Sequence, residues 1–589
     1  MRAEGKKSSL WLRLLKWIAL LALAAVVWEL ITTQNPKLLS IKRGFIHGVL
    51  GVSTVDAGRE TEGLCEGYTV ERYLNGAASQ DVYSGKGDGK TVYRDGKTTR
   101  LVNYLDGYQL DFPAGTEFDF SLSPLYTFAG GDGFDCTVSR ETATYAGLKD
   151  VVKFELSTFF PFYRSNSVES HVEHYEYRFL RDESWLKNNG VVSAVTTDSR
   201  GDLIISAVLT EPGSAKFDRY LYCVHYTGSR EYIRVTYRFD SGKWGDIGPD
   251  FLTLFKGMRS FDPTGEGVYS TDYKPVPDEN WTEETKKLYD ELKSGTELKW
   301  GIFTGDIFEN GIDSEIPELE KKLDFTFPIV LCYIHENMEF PAEFMDKAAA
   351  SGKTVELTYQ MTANNNTDLC ARSPLLDIVT GAEDGPIRSF ARAAAAWGRP
   401  FIFRLNNEMN SDWTSYSGVV NLCDPQLFKE AWAKIYGIFR EEGVDNCIWV
   451  FNPHDRSAPP AKWNDALCYY PGNEYVHMLG VTGYNNGTYY SWQAETWRSF
   501  REIYDAVEDK YAPFFSEFPW MITEFASSSF GGDKAEWIDG MFAALPDYPR
   551  IKAAVWFSSA DYDGDVPARP YWLDETEATV EAFRRGVHK

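Results

Sequence analysis

Two hydrophobic patterns divide this chain of 589 residues. Between about residues 63 and 262, short runs dense in Tyr, Val, Thr and Phe alternate with polar positions, as in Tyr232-Ile233-Arg234-Val235-Thr236-Tyr237-Arg238-Phe239. A period of two is the signature of strands, so antiparallel sheet is expected there. Clusters such as Gly85-Lys86-Gly87-Asp88-Gly89 and Gly130-Gly131-Asp132-Gly133 supply the turns between runs. From residue 298 onward the pattern changes to short apolar runs separated by stretches of helical periodicity. Eight strands are expected, at 300–303, 329–333, 354–359, 401–405, 448–451, 478–482, 521–524 and 553–557, with helices such as 387–397, 425–442 and 534–545 between them. Eight repeated strand–helix units over about 290 residues predict an α/β fold, a parallel (β/α)8 TIM barrel.

The beginning of the chain obeys neither pattern. Arg2, Lys6, Lys7, Arg13 and Lys16 precede a charge-free apolar run at 17–28, which reads as an export signal. The stretch 10–33 is largely apolar, and the small-residue triplet Ala22-Leu23-Ala24 lies inside it, where a peptidase does not normally cut. An uncleaved single-pass transmembrane helix is therefore expected, with the folded part extracellular, or secreted if the segment is removed. The expected organisation is an anchor at 1–35, a stalk at 36–62, a β-rich accessory domain at 63–262, a linker at 263–295 and the barrel at 296–589. Pro263, Pro275 and Pro277 mark the linker.

Composition narrows the partners. With 86 acidic against 60 basic residues the formal net charge is -26, which argues against binding to phosphate backbones, so no nucleic acid partner is expected. The eight cysteines form no CxxC pair, and no metal site is expected. Aromatic residues make up 15% of the chain, including 18 Trp and 34 Tyr, whose flat amphipathic rings suit sugar faces as well as cores. For the accessory domain, glycan binding, a spacer role and a docking role remain open.

In a (β/α)8 barrel the chemistry sits at the C-terminal ends of the strands. The fourth strand ends in Asn406-Asn407-Glu408-Met409-Asn410 and the seventh in Thr523-Glu524-Phe525. A single Glu at a strand end is commonly a helix cap or a solvated loop residue. Two carboxylates offered from opposite sides of one barrel mouth are what glycosidic cleavage needs: one protonates the leaving oxygen and the other attacks the anomeric carbon. His335 and Glu336, His454 and the loop at 364–366 are further candidates to line the mouth.

The segment Arg404-Leu405-Asn406-Asn407-Glu408-Met409-Asn410, followed by Trp413, resembles the acid/base motif of glycoside hydrolase family 26. Tyr469-Tyr470-Pro471-Gly472-Asn473-Glu474-Tyr475-Val476, Gly480-Val481-Thr482-Gly483-Tyr484, Ile522-Thr523-Glu524-Phe525-Ala526-Ser527 and Val555-Trp556-Phe557 resemble that family in its own order. The resemblance covers roughly 296–589 and implies a clan A retaining β-glycanase of the β-mannanase type that needs no cofactor. It implies Glu408 as acid/base, Glu524 as nucleophile, Arg404 and Tyr484 as partners of the nucleophile, and Trp413 and Trp556 as aromatic walls. Family members usually carry His before the acid/base. Here Asn407 stands there, as in the wider clan, where the amide binds the sugar 2-hydroxyl. Thr482 stands where mannanases of the family often carry an acid. The expected activity is hydrolysis of a β-linked polysaccharide by double displacement, with β-mannan, β-glucan and xylan all open as substrates. Two alternatives share the same residues: a catalytically inactive glycan-binding protein, and a transglycosylating protein of cell-envelope polysaccharide assembly.

Overall fold

The computed structural model describes residues 69–74, 89–120, 127–143, 151–152, 163–164, 167–263, 273–335, 338–362, 372–493 and 495–589. The expected anchor and stalk, Glu336 and the loop at 364–366 lie outside the described residues. Among the described residues no helix is long and apolar enough to cross a membrane.

The β-rich region builds two antiparallel sheets. One has the strands Thr69–Leu74, Gly89–Arg94, Thr98–Asn103, Tyr108–Pro113 and Arg259–Ser260 in that spatial order. The other runs Val191–Thr197, Leu203–Leu209, Arg219–Tyr226, Glu231–Phe239, Phe134–Thr142, Thr127–Gly131 and Glu117–Asp119. Alternation sorts the side chains of the second sheet between two cores. Leu221, Ile233, Val235, Tyr237 and Phe239 pack towards the first sheet and the helix Ser241–Lys256. Tyr220, Tyr222, Val224 and Tyr232 belong instead to a core continuous with that of the barrel. Polar positions inside Glu231–Phe239 are accordingly buried too, with Arg234 and Arg238 at 1% and 2% exposure.

The expected eight strands are present in the expected order: β1 (Lys299–Thr304), β2 (Ile329–His335), β3 (Thr354–Gln360), β4 (Phe401–Leu405), β5 (Cys447–Phe451), β6 (Met478–Thr482), β7 (Trp520–Phe525) and β8 (Ile551–Ser558). All neighbours are parallel, and β8 pairs back onto β1 through Gly301 and Val555, closing the barrel. Beyond β8 the chain adds a hairpin, Ala560–Asp563 with Val566–Pro570.

Within the stretch expected as a linker, α1 (Glu283–Ser294) is a helix whose first turn is capped by the Thr282 hydroxyl. Just before it, Trp281 donates its indole N–H to Cys447 O at 3.0 Å, beneath the start of β5. The sheet domain grips the opposite, C-terminal end of the barrel. Arg238 bridges Asp135 and Glu430 of the helix Pro425–Glu441. Arg234 donates to Cys423 O at 2.6 Å. Glu141 accepts the backbone N–H groups of Lys462 and Trp463 at 2.7 and 2.9 Å, and the Lys462 ammonium pairs with Asp106.

Candidate active site

Strand alternation turns Phe403 outward onto Phe439 and Trp449, and leaves its neighbour Arg404 inside the barrel at 0% exposure. Arg404 donates from both terminal nitrogens to Glu524 Oε2 at 3.0 Å, from Nε to Thr358 Oγ1 at 2.6 Å, and from one terminal nitrogen to Asn452 Oδ1 at 3.2 Å. Two phenols add to these donors, with Tyr333 donating to Oε2 and Tyr484 to Oε1. Burial and the adjacent Glu524 hold both phenols well above their usual range, so they remain donors.

At the end of β4, Asn406 and Glu408 take left-handed backbone angles, φ 48° and 59°. Such conformations cost non-glycine residues of order 1–3 kcal/mol and persist only where the surroundings hold them. Here Met361 N–H donates to Asn406 Oδ1 at 2.8 Å, and Glu408 N–H donates to Asn452 O at 2.8 Å. The resulting turn leaves the Glu408 carboxyl 5% exposed, with the Trp413 indole N–H donating to its Oε2 at 2.6 Å. Burial pushes Glu408 up to about 7; the charge of Glu524 adds to that push, while His454 and the Trp413 hydrogen bond oppose it.

Asn407 lies between these two residues, at 1% exposure. Its Oδ1 accepts from Gln360 Nε2 at 3.0 Å and from the Tyr416 hydroxyl at 2.9 Å, whereas its Nδ2 has no hydrogen-bond partner among the described residues. A buried amide donor calls for an acceptor, which water or a bound ligand can supply. Thr482 is fully buried and accepts from Asn452 Nδ2 at 3.3 Å, so it supports the floor of the site.

A cleft of about 840 Å³ abuts this centre, lined by Trp413, His454, Arg456, Lys462, Asn486 and Glu495 among others. Trp413 is half-buried along it. His454 is thus at the cleft, its backbone locked to Asn410 by hydrogen bonds in both directions. Among the described residues no group of three or more His, Cys, Asp or Glu is placed to hold a metal ion.

Trp556 requires a correction. It is fully buried, donates to Tyr571 O at 2.9 Å and packs on Phe525, Trp537 and Phe583 in the layer between strands and helices. Adjacent strand residues face opposite ways, so the inward position belongs to Phe557. That ring stacks on Phe303 at 4.7 Å and meets Tyr484 edge-on at 6.0 Å.

Tyr333 and Glu356 carry no motif, and sequence reasoning did not single them out. The signal was positional: both occupy strand positions whose side chains point into the barrel. Glu356 is a fully buried carboxyl whose Oε1 lies 3.3 Å from Arg404 Nε, so Arg404 stands between two acids. Burial pushes Glu356 up to about 8, against the pull of Arg404 and with the charge of Glu524 adding to it.

A sequence profile described as glycosyl hydrolase family 26 matches residues 391–509, a stretch that includes Arg404, Glu408, Trp413 and Tyr484. Endoglucanase H of Acetivibrio thermocellus is 30% identical over 268 residues, covering 44% of this chain and 28% of that protein. A mannan endo-1,4-beta-mannosidase of Bacillus subtilis is 33% identical over 98 residues, covering 16% of this chain and 25% of that protein. The chain thus spans roughly a quarter of the length of these two relatives. Among solved structures, a modular endo-beta-1,4-mannanase from Cellulomonas fimi aligns with 54% of this chain and 76% of its own at 17% identity, with a TM-score of 0.41. The similarity to glycosyl hydrolase family 26 thus lies in the C-terminal half of this chain, within the barrel.

Proposed function

We propose that this protein is a retaining endo-β-glycanase that cuts a β-linked polysaccharide by double displacement, with Glu524 as nucleophile and Glu408 as acid/base. The observation that carries the reading is the contrast between two carboxyls at one barrel mouth. Glu524 is held by Arg404, Tyr333 and Tyr484, all of them donors. Glu408 is buried with a single indole donor and is pushed up to about 7, so it keeps a proton to give near neutrality.

In the first step Glu524 attacks the anomeric carbon while Glu408 passes its proton to the departing glycosidic oxygen, which leaves a glycosyl ester on Glu524. In the second, Glu408, now a carboxylate, takes a proton from water. The resulting hydroxide oxygen bonds to the anomeric carbon and releases Glu524. The unfilled Nδ2 of Asn407 is suited to the 2-hydroxyl of the sugar undergoing cleavage, where hydrogen bonds strengthen in the transition state. Phe557 takes the wall role that the family resemblance implies for Trp556, and Trp413 flanks the acid/base.

The names of the two relatives, an endoglucanase and a mannan endo-1,4-beta-mannosidase, favour β-glucan or β-mannan backbones. Asn407 in place of the family's usual His argues for testing the glucan first. The basic flank and apolar run at 1–35 support tethering on the outer face of a membrane.

The test is hydrolysis of mannan, glucomannan, mixed-linkage β-glucan, xylan and cellulose by the full chain and by Glu524→Ala, with the first-formed product followed by proton NMR. The wild type should release the β-anomer first and the variant should release nothing. Turnover by Glu524→Ala at the wild-type rate, or release of the α-anomer first, refutes the mechanism.

A further inference from the structure

Exposed large hydrophobic side chains are few among the described residues, and two of them share one aromatic cluster at a rim of the barrel mouth. On the loop after β6, Trp492 is 67% exposed, and on the loop after β7, Phe530 is 38% exposed. Tyr489 and Tyr490 join them. Tyr490 meets Trp492 at 6.1 Å and Tyr489 at 4.8 Å, and Tyr489 meets Phe530 at 5.3 Å, all edge-to-face. Each edge-to-face contact sets one ring's edge against its neighbour, yet two thirds of the Trp492 surface and over a third of the Phe530 surface stay open to solvent, so the cluster is a corner with an exposed indole at its tip.

The corner is braced from behind. The Arg569 guanidinium lies 5.0 Å from the Tyr490 ring and pairs with Glu495 and Asp561. The Tyr489 hydroxyl donates to Asp563 at 3.3 Å, and Thr488 N–H donates to Phe530 O at 3.1 Å. The two tyrosines that Trp492 and Phe530 lean on, and the backbone of Phe530 itself, are therefore held in place, which lowers the ordering cost of a ligand.

The corner is also continuous with the catalytic centre. Tyr484, which donates to Glu524, packs on Tyr571 at 4.8 Å; the Tyr571 hydroxyl donates to Asn486 at 3.0 Å. Asn486 and Glu495 line the same cleft as Trp413 and belong to the loop that carries Trp492. A chain molecule lying in the cleft and leaving it on this side meets the exposed indole next.

We propose that Trp492, with Phe530 beside it and Tyr489 and Tyr490 as buttresses, is a sugar-stacking platform that binds the substrate backbone outside the cleavage centre. The ligand is a neutral β-linked glycan chain long enough to span from Glu524 to the rim. A pyranose ring offers an apolar face of axial C–H bonds that fits an indole, and an exposed apolar surface bordering a polar cleft is a recognition feature. The inference rests on the glycanase reading for its ligand class, yet it concerns binding, which can be measured without turnover.

Two measurements on the full chain decide it. In the first, Glu524→Ala and Glu524→Ala/Trp492→Ala migrate through native gels containing glucomannan, mixed-linkage β-glucan or xylan. The single variant should be retarded by at least one polymer, and the double variant should bind that polymer about five- to tenfold more weakly, as loss of an aromatic anchor does. In the second, kcat/KM of Trp492→Ala and of the wild type is compared on that polymer and on its tetrasaccharide, and the loss should be larger on the polymer. Equal retardation of both variants, or no retardation in any gel, overturns the platform. Equal losses on polymer and tetrasaccharide overturn it as well. Retardation that depends on Trp492, without hydrolysis by the wild type, instead supports the platform and overturns the glycanase reading.

Discussion

Trp413 donates its indole N–H to Glu408 at 2.6 Å, so the group that forms one wall of the cleft also restrains the proton affinity of the proposed acid/base. A hydrogen bond to a carboxylate favours the charged form. Removing it in Trp413→Phe should raise Glu408 further above about 7. The proposed mechanism needs Glu408 protonated for cleavage, so the alkaline limb of kcat/KM against pH should move to higher pH. An unmoved or lowered alkaline limb contradicts the assignment of Glu408.

Glu356 should make stability depend on pH. Its pKa rises from an ordinary 4.5 to about 8 in the folded chain, chiefly through burial. A carboxyl with a raised folded-state pKa contributes stability that is full below 4.5 and is lost as pH rises through about 8. Glu356→Gln cannot ionise, so its stability relative to wild type should be greater at pH 8.5 than at pH 5. Urea unfolding at the two pH values measures the difference.

Glu141 ties the sheet domain to the Lys462–Trp463 segment, which lines the cleft through Lys462. Glu141→Ala leaves two backbone donors without their acceptor, a loss of roughly 1–3 kcal/mol for each buried group left unsatisfied. Both the unfolding free energy and kcat/KM should fall. A shortened chain beginning near residue 290 should be less stable still, because it exposes the core that Tyr220, Tyr222, Val224 and Tyr232 share with the barrel. Wild-type stability of that shortened chain in denaturant would show the two regions to be independent.

The neighbours Trp556 and Phe557 should behave differently. Trp556→Ala opens a cavity in a closed layer and should cost roughly 3–5 kcal/mol of stability, as for other buried Trp truncations. Phe557→Ala should chiefly raise KM. Thermal unfolding of both variants beside their kinetics separates packing from substrate contact.

The barrel was legible in the sequence because eight short apolar runs spaced by helical periodicity have few other ways to bury themselves. Glu408 and Glu524 were legible for a related reason, since the strand count placed both at C-terminal ends, where barrels do chemistry. Tyr333 and Glu356 were not. A Tyr or Glu inside a strand looks the same in sequence whichever way it points, and only closure of the cylinder brought them against Arg404 and Glu524. The same one-residue ambiguity of facing led to Trp556 where the inward ring is Phe557.

By itself, then, the chain's pattern determined the sheet-rich first half, the eight-stranded second half and the two acids of the centre, because periodicity and strand ends are local properties. Tertiary structure alone decided which donors hold Glu524, which face of the second sheet is buried on the barrel, and how Glu141 comes to hold a cleft segment 321 and 322 positions away. Those relationships join residues far apart in sequence. Their partners are set by packing geometry, which no local pattern records.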